Sequence, residues 1–151
     1  MPSISTSCLI NASPEAVFDV ATNVEKWAEV VPAIEKIEML TPSPAGLGTK
    51  FRETRLMFKK EATEEMEFVE WNRPTSYGLL AESHGSRYQT TYTLTQEGDS
   101  TRLTLNFDAT PLTFMAKVMS VLMKPMMKMM IKMCTKDLEA IKAHVEALES
   151  R

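Results

Sequence analysis

Glu53 and Arg55 carry opposite charges and stand two positions apart in the segment 50–58. If that segment is a β-strand, both side chains lie on one face of the sheet. Facing inward, the pair would orient a polar group of a ligand, or Glu53 would act as a general base whose pKa is raised by burial. Alternatively, the two residues form a neutralising ion pair near the rim of the sheet, or they point outward. Glu53 and Arg55 are therefore the candidate catalytic residues, with these interpretations left open.

Two tyrosines, Tyr88 and Tyr92, provide a second polar feature on a later segment. Their spacing of four places both side chains on the same face of a strand. Facing a cavity, their hydroxyls would hydrogen-bond a carbonyl group of a ligand. In the alternative interpretation they are core residues whose hydroxyls bond to the backbone or to water.

Methionine is concentrated near the C-terminus. The chain has 12 methionines, and eight of them lie between Met115 and Met133. Methionine is flexible and polarisable, which suits a pocket wall that adapts to varied apolar ligands. The alternative is that they form the core face of a helix. At helical spacing they make one stripe: Met115, Met119, Met123, Met126, Met130 and Met133.

Four lysines project opposite this stripe, and no acidic residue interrupts them before Asp137. They are Lys117, Lys124, Lys128 and Lys132. A basic amphipathic helix of this kind favours peripheral contact with an anionic membrane. The alternative is a solvated face whose charge is offset by acids elsewhere, such as Glu64, Glu65 and Glu67. Stable membrane insertion is not expected, because the lysines break the apolar run 115–134.

Several other chemistries have no sequence support. The two histidines, His84 and His144, are too few and too distant for a histidine-rich metal site. The chain has no GxSxG elbow, no Cys–His signature and no GxGxxG loop after a strand. We therefore expect no metal and no cofactor, so that any catalysis would rest on proton transfer and on the shape of a pocket.

Length and charge limit the class of protein. The 151 residues are enough for one domain spanning 1–151, with a core that needs no metal or disulfide. A net charge of −3 gives no basic field for nucleic acid, so no nucleic-acid partner is expected. Cys8 and Cys134 form no CxxC pair and are expected to be free thiols in a reducing compartment. No secretory signal is visible at the N-terminus, and the expected location is the cytoplasm.

The periodicity predicts an α+β chain. Ser13 and Pro14 mark the start of a first short helix, and Asn23 is expected to cap a second one over 24–31 that Pro32 ends. After Pro111 the pattern is helical to the C-terminus, with a kink or restart at Pro125. The predicted strands are 3–10, 34–40, 50–58, 62–71, 76–83, 86–96 and 101–110. An antiparallel sheet of about seven strands curls, and a long helix packed against it would enclose space.

Five short segments occur in an order that is similar to a known family. They are PEAVF (14–18), VEKWAEVVP (24–32), GTKF (48–51), VEWNRP (69–74) and TRLT (101–104). Together with the Lys124-Pro125 break, the chain resembles the polyketide cyclase/dehydrase branch of the START-like (SRPBCC) superfamily. The resemblance covers nearly the whole chain. It implies a helix-grip fold, in which a curved antiparallel sheet wraps a long C-terminal helix and two short helices follow the first strand.

This fold serves carriers, cyclases and receptors alike, so the function depends on the site. The first hypothesis is binding of a small hydrophobic ligand (a lipid, polyketide or isoprenoid) between the sheet and the C-terminal helix, by a monomer or a homodimer. The alternative, implied only by the resemblance, is a cyclase/dehydrase-type enzyme that uses Glu53, Arg55, Tyr88 and Tyr92. A third hypothesis is a module that docks through the lysines. The expected ligand-binding residues are Phe51, Met57, Met66, Phe68, Tyr77, Tyr88, Tyr92, Leu105, Phe107, Met119, Met123, Met126 and Met130.

Overall fold

One curved antiparallel sheet of seven strands and a long C-terminal helix make up the fold. The computed structural model describes residues 3–42, 44–57, 59–83, 85–122 and 124–150. The strands are β1 (Ser3–Ile10), β2 (Ile34–Met39), β3 (Lys50–Met57), β4 (Lys60–Asn72), β5 (Ser76–Ser83), β6 (Ser86–Glu97) and β7 (Ser100–Pro111). They are ordered β1-β7-β6-β5-β4-β3-β2. Strands β2 to β7 are therefore neighbours in chain order, and β1 pairs with β7 at the edge opposite β2. The predicted α+β class and helix-grip architecture are confirmed.

Two short helices lie between β1 and β2, namely α1 (Pro14–Ala21) and α2 (Trp27–Val30). As expected, α1 is capped by Ser13, whose hydroxyl accepts a hydrogen bond from the Ala16 N–H at 3.2 Å. The second helix differs from the prediction. Val24–Lys26 form a single 3₁₀ turn before α2, and the side chain of Asn23 makes no capping bond. Without that cap, the first residues close the tighter i→i+3 bonds instead of starting an α-helix.

The C-terminal helical region is divided at the predicted place. Helix α3 (Phe114–Leu122) and helix α4 (Met127–Glu149) are separated by a 3₁₀ turn over Lys124–Met126. Pro125 lacks the N–H that a continuous helix would need, so the chain restarts after it. Within the described ranges, no helix combines the length and the apolar character that crossing a bilayer requires.

Helix α4 runs alongside β1 in the same direction. The hydroxyls of Thr6 and Thr135 are 2.8 Å apart, and the Lys142 ammonium donates a 2.7 Å hydrogen bond to the Leu9 carbonyl. Further along, the Asn11 N–H donates to the Glu146 carboxylate at 2.8 Å. These bonds hold the helix against the sheet, with one stripe buried: Cys134, Leu138, Ile141 and Val145.

An aromatic cluster fills the space between the sheet and the short helices. Phe18 of α1 meets Trp71 and Tyr77 edge-on, at ring-centroid distances of 5.3 and 5.7 Å. Phe51 and Phe68 extend the cluster across β3 and β4, with their centroids 5.7 Å apart. Each such aromatic pair adds to the burial free energy of the core. One end of the molecule is therefore densely packed.

Candidate functional site

The face of the sheet that is turned toward α4 is packed at one end and open at the other. At the packed end the side chains are almost fully buried, and we call this set the closed half: Phe51, Phe68, Tyr77, Leu94, Leu103 and Leu105. Further along β6 and β7, inward-phased side chains are only half-buried, and we call this set the open half: Tyr88, Thr90, Phe107 and Ala109. Because side chains alternate along a strand, members of both sets point to the same face. The rest of the protein therefore covers the open half less completely than the closed half.

A buried ionic cluster lies between β3 and α4. The Arg55 Nε and Nη2 atoms donate to the two carboxylate oxygens of Glu53 at 3.2 and 3.4 Å. The Arg55 Nη1 atom donates to Asp137 Oδ2 at 3.0 Å. The side chains of Glu53, Arg55 and Asp137 are only 5%, 12% and 16% exposed. One guanidinium thus joins two carboxylates that come from different layers of the fold.

The cluster carries an unbalanced negative charge when all three groups are ionised. Burial raises the pKa of Glu53, and Arg55 partly opposes that rise. Burial likewise raises the pKa of Asp137, again against the effect of Arg55. A proton taken up by either carboxyl would neutralise the cluster, which is the property of a group that can exchange protons with a bound molecule.

Tyr92 lies beside this cluster. Its ring stacks on that of Tyr77 with centroids 4.5 Å apart and planes inclined by 9°. Burial, followed by the negative charge of Asp137, raises the pKa of Tyr92, so its hydroxyl stays protonated. Burial also raises the pKa of the neighbouring Cys134 thiol to about 11, so this thiol is not a nucleophile at neutral pH.

The Tyr92 hydroxyl has no hydrogen-bond partner among the described residues. In the same ranges, no fully buried side-chain oxygen or nitrogen lacks a partner. Among the described residues the hydroxyl is therefore not completely enclosed. A neutral hydroxyl in that position can donate to a carbonyl group or accept from a hydroxyl of a ligand.

The structure distributes the expected ligand-binding residues over three environments. The closed half contains Phe51, Phe68, Tyr77 and Leu105, while Met66 is half-buried against that core. In the open half Tyr88 stacks on Phe107, with ring centroids 5.9 Å apart. On the helices Met126 and Met130 are half-buried and Met119 is half-exposed. Met57 is the last residue of β3, and Met123 lies outside the described residues.

The methionine stripe is divided by the break at Pro125. Met130 lies one turn before the buried Cys134 and continues the inward stripe of α4. Met115 and Met119 lie on α3, where they are 69% and 50% exposed. The two halves of the stripe therefore have different surroundings.

Asp137 is the member of the ionic cluster that the sequence pattern does not single out. In the sequence it ends the lysine run, and it stands beside Leu138 in the apolar stripe of the helix. A charged residue at the margin of a buried stripe requires a partner, and this signal could have pointed to it. Within the described ranges, no group of three or more histidine, cysteine, aspartate or glutamate residues is arranged to hold a metal ion.

A groove of about 700 Å³ opens near the end of β7 that carries the open half. It lies between the end of β7, the start of β1 and the junction of α3 with α4. Its lining combines apolar and basic side chains: Ser3, Pro111, Lys117, Ser120, Val121, Lys124 and Met127. A ligand that enters the fold at this end would therefore pass the positively charged Lys117 and Lys124.

Comparison with known proteins identifies a family. The sequence profile described as polyketide cyclase / dehydrase and lipid transport matches residues 1–146. A search of curated proteins finds no match.

Solved structures share the fold at low sequence identity. A protein from Thermus thermophilus is 22% identical, with a TM-score of 0.74 over 97% of this chain and 99% of that one. A START superfamily protein from Mycobacterium smegmatis is 16% identical, with a TM-score of 0.71 over 97% of this chain and 98% of that one. The di-domain ARO/CYC protein StfQ of the steffimycin pathway is 11% identical, with a TM-score of 0.78 over 99% of this chain and 52% of that one. At these identities the likeness concerns the fold alone.

Proposed function

This chain belongs to the polyketide cyclase/dehydrase and lipid transport family, and from that premise we propose that it binds a small hydrophobic molecule with a polar end in the open half. The observation that carries the proposal is the change in burial along single strands. On β6 Leu94 is buried while Tyr88 is half-buried, and on β7 Leu105 is buried while Phe107 is half-buried. Aromatic rings on an inward face are a common lining of small-molecule sites.

The polar end of the ligand would meet Tyr92 and the Glu53–Arg55–Asp137 cluster. The Tyr92 hydroxyl is free to hydrogen-bond a carbonyl or hydroxyl group, whereas the guanidinium of Arg55 is already bound to both carboxylates. The rest of the ligand would contact Tyr88, Phe107 and Met130, because burying apolar surface is the main driving force for such binding. A lipid, polyketide or isoprenoid satisfies this description.

Native mass spectrometry of the purified protein, compared with the same sample after denaturation and organic extraction, tests the proposal. A co-purified small molecule that extraction releases is expected, and its mass would distinguish a lipid from a polyketide. The second arm is titration with the fluorescent probe anilinonaphthalene sulfonate. We expect Phe107→Ser to weaken the binding of the probe by at least about tenfold, and Leu47→Ser, a change at an exposed loop residue, to leave it unchanged. Equal affinity in both variants would contradict the proposed site.

The ionic cluster favours a second candidate, an enzyme that moves a proton on the bound molecule. The observation behind it is that two buried carboxyls with raised pKa values share one guanidinium beside Tyr92. In such an enzyme Glu53 would exchange a proton with an enolisable chain during ring closure or loss of water.

The two candidates are separated by Glu53→Gln, measured with an enolisable polyketide chain as the probe. An enzyme would lose turnover by about 10²–10⁴-fold while the chain still binds. A carrier shows no turnover in either form. The matched control is Glu65→Gln, which changes an exposed carboxylate on the neighbouring strand.

A further inference from the structure

Helix α3 presents an apolar surface to solvent. Its buried residue is Ala116, and Ser120, one turn later, is half-buried, so these two mark the side that faces the protein. On the opposite side Phe114 is 77% exposed and Leu122 is 66% exposed. We define the α3 face as these two residues with Met115, Val118, Met119 and Val121, all of which are exposed. An unpartnered apolar face of this extent is typical of an interaction site.

The charged residues of α3 and of the first turns of α4 are all lysines. Lys117, Lys124, Lys128 and Lys132 are exposed, and none of them takes part in an ion pair among the described residues. In the sequence no aspartate or glutamate occurs between Asp108 and Asp137. These four lysines therefore carry positive charge that no described ion pair neutralises.

From this combination we propose that the α3 face docks on an anionic lipid bilayer. Exposed aromatic and aliphatic side chains insert at the level of the headgroups, and the lysines beside them contact the negative surface. A second copy of this chain is a poorer occupant, because a symmetric dimer through α3 would bring the lysines of both copies together. In the docked orientation the groove lined by Lys117, Val121 and Lys124 would open toward the lipid.

Co-sedimentation with lipid vesicles tests the proposal with the full chain. We expect binding to vesicles of phosphatidylcholine mixed with phosphatidylserine, and much weaker binding to phosphatidylcholine alone. Raising the ionic strength from about 0.1 M to about 1 M, which shortens the Debye length from roughly 10 Å to 3 Å, should release the protein. Absence of binding to the anionic vesicles overturns the proposal.

Matched variants separate the two parts of the surface. The double substitution Lys124→Glu and Lys128→Glu should reduce partitioning by at least roughly 25-fold, because each lysine near an anionic surface contributes about fivefold. The control, Lys26→Glu with Lys50→Glu, reverses two exposed lysines elsewhere in the fold and should be neutral. If both pairs weaken binding equally, only net charge matters and the proposed surface is wrong.

The apolar contribution is tested in the same way. Val118→Ser with Leu122→Ser should reduce partitioning by at least about tenfold, whereas Leu40→Ser with Leu47→Ser, at exposed residues outside α3, should not. Circular dichroism checks that each variant is folded. Sedimentation velocity without lipid measures whether the protein forms a dimer. A dimer that these α3 substitutions dissociate would assign the face to a second copy and overturn the proposal.

Discussion

Arg55 holds together two carboxylates that would otherwise repel each other at a buried position. The substitution Arg55→Met keeps much of the side-chain volume but leaves Glu53 and Asp137 without a cation. Breaking a buried ion pair by removing one partner costs about 3–5 kcal/mol of unfolding free energy. We expect a loss of this size in urea denaturation at neutral pH.

The control for that experiment is Arg52→Met on the same strand. Arg52 bonds Glu38 at 3.0 Å, but both side chains are more than one third exposed. Exposed pairs of this kind contribute about 0–1 kcal/mol. Equal losses in the two variants would show that the Glu53–Arg55–Asp137 cluster is as well solvated as the surface pair.

The raised pKa of Glu53 gives the cluster a defined pH dependence. For a carboxyl whose pKa is higher in the folded state, the stabilising contribution is complete below the pKa of the unfolded chain. That contribution is lost as pH rises through the higher folded value. Glu53→Gln removes this titration, so its stability relative to the unsubstituted protein should increase as the pH rises from about 4 to about 8.

Urea denaturation at a series of pH values measures this difference. Comparison with the unsubstituted protein is essential, because exposed carboxyls such as Asp19, whose pKa is lowered by Arg73, have the opposite pH dependence in both proteins. A stability difference that does not change with pH would mean that Glu53 titrates at its ordinary value in the folded state.

How much of this cluster the sequence could predict depends on distance along the chain. Glu53 and Arg55 are two residues apart, and the alternation of a strand is enough to place them on one face. Asp137 is 82 residues from Arg55, and its contact depends on how α4 crosses the sheet. No local pattern encodes that crossing. The pair was therefore predictable. For Asp137 the sequence indicates the need for a partner, but not that the partner is Arg55.

At the scale of elements, Gly85 anchors the start of α3. It adopts a φ of +75°, and a Cβ atom placed there would lie 2.7 Å from the Thr113 hydroxyl oxygen. That oxygen also accepts the Ala116 N–H at 3.1 Å, which caps the first turn of α3. Gly85→Ala should therefore cost roughly 1–2 kcal/mol for the backbone conformation and about 0.5–2 kcal/mol more for the disturbed cap.

Gly98→Ala isolates the backbone contribution. Gly98 has a φ of +63°, but nothing lies within 4 Å of a Cβ atom built there. Thermal unfolding should show a smaller loss for Gly98→Ala than for Gly85→Ala. If the two losses are equal, the contact with Thr113 relaxes without cost and α3 is not anchored by this turn.

Element boundaries were predictable where the cause is local. Pro125 interrupts the helical hydrogen bonds by its own chemistry, and the break between α3 and α4 lies where the sequence predicted it. Asn23 was expected to cap a helix, but Val24–Lys26 form a 3₁₀ turn instead. The surroundings of α3 could not be predicted. An apolar helical stripe indicates that a face tends to be buried, but not what it is buried against.

Across the whole molecule, the division of the concave face separates stability from binding. The closed half is dense, so Phe68→Ala should leave a cavity and cost about 3–5 kcal/mol of unfolding free energy. Tyr88 of the open half is only half-buried, and Tyr88→Ala should cost about 1 kcal/mol. For ligand binding the order should be reversed. Tyr88→Ala should weaken binding more than Phe68→Ala does, because Tyr88 and Phe107 form the proposed apolar wall.

Both quantities come from one set of urea titrations, with and without anilinonaphthalene sulfonate. A ligand at about 100 times its dissociation constant stabilises the folded state by about 2.7 kcal/mol. Phe68→Ala should keep most of this gain although it starts from a lower stability. Tyr88→Ala should lose most of it although its stability is nearly normal. If Tyr88→Ala is stabilised by the probe as strongly as the unsubstituted protein, the open half is not where the probe binds. The functional role would then have to be sought at the groove beside α3, because its lining includes neither Tyr88 nor Phe107.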